Sequence, residues 1–181
     1  MLIVLRIVLI PVFLFFFLNA EPEGGTFRLV AVAVFLVASI SDFFDGHLAR
    51  KWNMVSNFGK LIDPLADKML VSAAMIALAY RQELAAWVVV IIICREFWIT
   101  ALRQLALEQS QEVIAASIWG KAKTALQMTM LTVLIAGIGN VDGLFGQTGA
   151  AIANILVYLA VIATVLSAVS YTKSHKGVFK A

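Results

Sequence analysis

Six long apolar runs, separated by short polar turns, limit what this chain can become. They lie at about residues 2–18, 26–50, 58–80, 85–109, 118–138 and 149–171. A helix crosses the hydrocarbon core of a bilayer with roughly 20 mostly apolar residues, and each run is near that length. Of the 181 residues, 62% are hydrophobic and 14% charged, with a mean hydropathy of +0.95. A soluble domain carries about 25% charged residues. The expectation is an all-α integral membrane protein: one six-transmembrane-helix bundle over residues 1–181, not two domains. The first run lacks a small-residue cleavage site, and Asn19 to Gly25 reads as an interhelical turn, so a permanent helix is expected rather than a signal peptide. Cys94 is the single cysteine; it excludes an intrachain disulfide and is expected to pack in its apolar run. There is no phosphate-binding loop, Rossmann fingerprint or CxxC, and no nucleic-acid partner is expected.

The charges orient the bundle. Six helices put both termini on one side. Cytoplasmic termini place twelve of the 14 Lys and Arg residues on that side or just inside it, and only Arg28 and Arg81 fall outside. That asymmetry predicts both termini in the cytoplasm. The tail with Lys173, Lys176 and Lys180 is expected to attract anionic membrane lipids.

Four carboxylates stand out in this apolar chain. Asp42 and Asp45 are three residues apart, and Asp63 and Asp67 four apart, so each pair shares one helix face. On neighbouring helices the two pairs would surround one small space, where they could not all stay ionised without cations. Oxygen-only ligands favour Mg²⁺, Mn²⁺ or Ca²⁺ over zinc. The bland alternative is an ion-pair network with Arg50, Lys60 and Lys68. An ionisable group in a membrane helix reads as functional by default, and four at these intervals favour a site. Gly46, Ala49 and Gly59 are small enough for close approach of a helix or a ligand. With Arg50, they describe a metal-assisted site for a phosphorylated ligand at the membrane surface.

The full pattern is Asp-x2-Asp-Gly-x2-Ala-Arg-x8-Gly-x3-Asp-x3-Asp, from Asp42 to Asp67. It resembles, element for element, the signature of the CDP-alcohol phosphatidyltransferases. The resemblance implies a six-helix fold, Mg²⁺ or Mn²⁺, and transfer of a phosphatidyl group from a CDP-linked donor such as CDP-diacylglycerol to an alcohol, with release of CMP. It implies that Asp42, Asp45 and Asp63 bind metal, and that Asp67 completes the metal site and acts as general base. Gly46, Ala49, Arg50 and Gly59 would accommodate the cytidine nucleotide. It further implies a multi-pass protein of a bacterial cell membrane with its site facing the cytoplasm, and it allows a homodimer, although no sequence feature identifies an interface.

A second, basic cluster bears on the acceptor. Arg95 and Arg103 are eight residues apart, close to one helix face, and Lys121 and Lys123 are two apart, diverging by roughly 200°. One lysine would face the site and the other the lipid headgroups. The alternatives are positive-inside anchoring for the lysines, and pairing of Arg95 with Glu96 or a motif aspartate. The functional reading is an anion site for a phosphorylated acceptor. Arg6 to Phe13, Gly59 to Leu70, Arg95 to Arg103 and Trp119 to Thr124 resemble the branch of the family that uses glycerol 3-phosphate. By that resemblance Arg103 and Lys123 lead as acceptor contacts, followed by Lys121 and Arg95. Members of the branch usually carry a short polar lead before the arginine that Arg6 resembles. Here five residues precede it, which leaves a truncated or misassigned start as one reading. Inositol phosphate, serine and phosphatidylglycerol are the alternative acceptors.

Two rival classes make different demands. An intramembrane Mg-dependent prenyltransferase would separate its aspartate clusters by several helices, whereas here both pairs fall within 26 residues. A cation transporter would use the carboxylates but gives no role to Arg50, Arg103 and Lys123.

Overall fold

Each apolar run becomes one helix. The computed structural model describes the backbone of residues 2–21, 25–52, 57–110, 118–140 and 146–174. The side chains of 2–5, 42–67, 106–110, 118, 119, 121 and 174 lie outside the described residues. In order, the helices are α1 (Leu2–Leu18), α2 (Thr26–Trp52), α3 (Asn57–Tyr80), α4 (Ala86–Ser110), α5 (Ile118–Ile135) and α6 (Gly146–Ser174). No strand occurs among the described residues. The connecting segment expected after Ser110 lies outside the described residues as far as residue 117.

The core is small and aromatic near α1. Phe13 and Phe17 are fully buried and stack with ring centroids 5.5 Å apart. Phe35 of α2 tilts against Phe13 at 5.9 Å. Met75 and Leu78 of α3, Val88 and Ile92 of α4, and Met130, Leu131 and Ile135 of α5 complete it. α1 packs on α2 and α3, and α6 packs on α5 and α4. Along their described residues α2 and α3 touch each other little. Cys94 is exposed on the outward side of α4.

The expected ends hold to within a residue or two for α1 to α4 and miss for α5. That helix stops at Ile135, three residues short of the expected Ile138. Gly137 takes φ +79°, and the turn closes through Gly137 N to Leu134 O (2.9 Å) and Ile138 N to Val133 O (3.2 Å). This is a left-handed glycine cap. Ile138 continues the hydropathy but not the helix. α6 starts at Gly146 rather than at 149.

One end of the bundle is tied by buried charge. Arg28 is 1% exposed. Its Nε donates to Ile135 O at 2.8 Å and its Nη2 to Leu134 O at 2.9 Å, and it pairs with Glu83. Arg81 pairs with the same Glu83 at 2.9 Å and donates to Phe17 O and Ala20 O at 3.0 and 2.8 Å. The clasp satisfies carbonyls at the ends of α1 and α5, which helices cannot satisfy themselves. Arg28 and Arg81 thus share one counter-ion, Glu83, and place their remaining donors on backbone carbonyls.

A side chain at Gly137 would collide with this clasp. Its Cβ would stand 2.8 Å from Arg28 Nε and 3.0 Å from Cζ, and the pinned guanidinium cannot step aside. With the positive φ added, Gly137→Ala is expected to lower unfolding stability by about 2–3 kcal/mol. Thermal unfolding in detergent checks this.

The described residues include one helix, Gly146–Lys173, that is long and apolar enough to cross a membrane by length and composition. Other apolar stretches are shorter: Arg6–Leu18, Thr26–Ser41, Lys68–Tyr80 and Ala122–Ile135.

Candidate active site

The backbone places the motif on two neighbouring chain elements. Asp42, Asp45, Gly46, Ala49 and Arg50 lie on α2; Gly59, Asp63 and Asp67 lie on α3. Both stretches are helical, so each aspartate pair falls within about one turn. The side chains of these eight residues lie outside the described residues. Their end of the bundle is opposite the Arg28 clasp, because Arg28 opens α2 and Glu83 follows the end of α3.

The basic cluster is described in detail. Lys123 is 3% exposed and pairs with Glu96 Oε1. Arg95 Nη1 donates to that same oxygen at 2.8 Å, and its Nη2 donates to Ser167 Oγ of α6 at 2.5 Å. Lys68, the residue after Asp67, donates from Nζ to the Glu96 carbonyl at 3.1 Å. Three cations on three helices thus gather on one glutamate. Beside them is a recess of about 80 Å³, lined by Lys68, Ser72, Glu96, Lys123, Thr124 and Gln127 with Val71 and Met128.

Arg103 is held separately. Its Nη2 donates to Tyr171 Oη at 2.5 Å, and its guanidinium lies 5.1 Å from the Tyr171 ring centroid. It stands two turns beyond Arg95, about 12 Å along α4. Both arginines reach α6, at Ser167 and Tyr171, so they do share a face of α4. Among the described residues neither Arg95 Nε nor Arg103 Nε has an acceptor. Of the four expected acceptor contacts, the fold brings Arg95 and Lys123 together and sets Arg103 apart. The Lys121 side chain lies outside the described residues.

Sequence reasoning missed Lys68, Glu96, Ser167 and Tyr171 as parts of this cluster. From the sequence, Lys68 is only a counter-ion for aspartates, and Glu96 only a partner for Arg95. Both are ionisable groups in apolar helices, the signal that singled out the aspartates. Ser167 and Tyr171 gave no such signal within the apolar run of α6.

The model of the CDP-alcohol phosphatidyltransferase family matches residues 1–169. The chain belongs to the CDP-alcohol phosphatidyltransferase family. A relative from Bacillus subtilis, named CDP-diacylglycerol–glycerol-3-phosphate 3-phosphatidyltransferase, is 39% identical over 175 residues, covering 92% of this chain and 88% of the relative. A relative of the same name from Rickettsia bellii is 35% identical over 175 residues, covering 96% and 92%. A probable phosphatidylglycerophosphate synthase of Mycobacterium tuberculosis is 36% identical over 167 residues, covering 92% and 76%. For a CDP-alcohol phosphatidyltransferase, the division between a carboxylate end and a cation-lined recess is chemically sensible.

Proposed function

We propose that the chain transfers the phosphatidyl group of CDP-diacylglycerol to glycerol 3-phosphate, giving phosphatidylglycerophosphate and CMP. The observation that carries the acceptor is the recess lined by Lys68, Lys123 and Glu96, with Arg95 beside it on the same Glu96 oxygen as Lys123. A phosphorylated alcohol matches that charge, whereas serine, glycerol and other unphosphorylated alcohols do not. The names of the relatives support the same acceptor.

The donor side rests on the four aspartates. Their all-oxygen, all-anionic donor set fits a hard divalent ion, Mg²⁺ or Mn²⁺, held by Asp42, Asp45, Asp63 and Asp67. Such an ion, when bound, supplies charge neutralisation on the pyrophosphate oxygens of the donor. Gly46, Ala49 and Gly59 leave room for the cytidine nucleotide, with Arg50 beside it. Asp67 accepts the proton of the acceptor hydroxyl. The hydroxyl oxygen bonds to the phosphatidyl phosphorus, the P–O bond to CMP breaks, and the pair of electrons leaves with CMP. Lys68 joins the two halves, because it follows Asp67 in the chain and its ammonium reaches Glu96. The base and the acceptor recess are therefore built on adjacent residues of α3.

The bundle spans a bacterial cell membrane six times, with both termini and the site on the cytoplasmic side. The side-chain pattern of α6 supports this. It turns Ala153, Ala160, Ala163 and Ser167 inward and exposes Ile155, Tyr158, Ile162 and Val165. Small residues inside and large apolar ones outside suit a helix packed in lipid. The charge asymmetry of the sequence supports the orientation.

A CMP-release assay decides the function. With CDP-diacylglycerol and Mg²⁺ or Mn²⁺, release is expected with glycerol 3-phosphate and not with serine, inositol phosphate or glycerol. Release with none of them would overturn the reading. Within that assay, Lys123→Gln is expected to raise the KM for glycerol 3-phosphate about tenfold or more, consistent with loss of a charge-assisted hydrogen bond. The KM for CDP-diacylglycerol should change far less. Equal effects on both would remove Lys123 from the acceptor side.

A further inference from the structure

Glu96 is the one acid among the described residues that line the recess. Its Oε1 accepts from both Lys123 and Arg95, and its carbonyl accepts from Lys68. Lys123 is almost wholly removed from solvent. A buried ammonium with no counter-ion is strongly unfavourable, and Glu96 supplies the counter-ion. Among the described residues, Lys123 and Arg95 carry one positive charge more than Glu96 removes, and a phosphate monoester at neutral pH carries the opposite sign, about −1.5 to −2.

We propose that Glu96 is the built-in counter-ion of the acceptor-phosphate site and determines its specificity. Its carboxylate holds Lys123 in the recess and Arg95 beside it, and an incoming phosphate must compete with it for them. This rests on the reading of the recess as the acceptor site. The competition is unequal. Glu96 is tethered in place, so its effective concentration at Lys123 is high. Free inorganic phosphate brings charge alone. Glycerol 3-phosphate brings charge and two hydroxyl groups, for which Ser72 and Gln127 offer polar partners in the recess. The resident carboxylate thus sets a threshold that a phosphorylated polyol clears and inorganic phosphate does not. That is discrimination by a built-in repulsion as well as by attraction.

The test uses the full-length enzyme in mixed micelles with CDP-diacylglycerol, inorganic phosphate being the probe. Wild-type turnover is expected to be insensitive to phosphate at concentrations that inhibit Glu96→Gln. In that variant phosphate should compete with glycerol 3-phosphate, with Ki lowered at least about tenfold, or 1.4 kcal/mol, and the KM for glycerol 3-phosphate should fall. A Glu96 that merely braced Lys123 would instead raise that KM and leave phosphate without effect, which overturns the proposal. Thermal unfolding gives a readout free of turnover: phosphate should raise the unfolding temperature of Glu96→Gln and not of wild type, and equal responses overturn the proposal. If Glu96→Gln does not fold, Glu96→Asp withdraws the carboxylate by one methylene, and phosphate inhibition should appear in weaker form; wild-type insensitivity there overturns the proposal. Inhibition gained in competition with CDP-diacylglycerol instead of glycerol 3-phosphate would keep Glu96 as a counter-ion and refute the acceptor assignment of the recess.

Discussion

Asp67→Asn should leave a folded protein that releases CMP about 10³-fold more slowly or worse, within the range that a general base contributes. The amide keeps the volume of the side chain but accepts no proton and carries no charge for a metal ion. Asp67 lies on α3 immediately before Lys68, whose Nζ is 3.1 Å from the Glu96 carbonyl. The variant should therefore still take up glycerol 3-phosphate, and lose turnover rather than acceptor binding. Purified Asp67→Asn with wild-type turnover would remove Asp67 from the chemistry. Normal turnover combined with weakened metal dependence would reassign it to the metal alone.

The second large effect is on stability, at the other end of the molecule. Arg28→Met removes the cation that pairs with Glu83 and donates to Ile135 O and Leu134 O. Breaking a buried pair by deleting one partner costs roughly 3–5 kcal/mol. Arg81 still contacts Glu83 at 2.9 Å, which places the expected loss near the lower end, about 3 kcal/mol. Unfolding in detergent by heat or denaturant measures it. Adding Glu83→Gln should recover part of the loss, because the orphaned charge goes with it. A loss below about 1 kcal/mol would show that Arg28 is no more than a surface-grade contact.

The helices were legible because their signal is local. Apolar runs end where Gly, Asp and Arg begin, and α1 to α4 follow those borders closely. α5 did not, because Ile138 prolongs the hydropathy while Gly137 turns the backbone; a hydropathy pattern does not record φ. The aspartate motif was legible for a related reason, since its spacing is intrahelical and period alone sets which residues share a face. The partners of the cations were not legible. Arg95 finds Ser167 and Arg103 finds Tyr171, 72 and 68 residues away, and no local pattern links such pairs. The same limit hid the meaning of Arg28 and Arg81. By charge they were exceptions to an orientation rule; in the fold they share one glutamate and cap four carbonyls.

The clasp of Arg28, Glu83 and Arg81 also acts mechanically. α2 starts and α3 ends at it, they touch each other little along their described residues, and they carry the two aspartate pairs toward their far ends. From Arg28 to Asp42 the helix is a lever about 21 Å long. A rotation of one degree at the base moves its tip by about 0.4 Å, close to the roughly 0.5 Å tolerance of a productive site. Substitutions in the clasp are thus expected to be felt in turnover, although it lies at the opposite end of α2 and α3 from the aspartates.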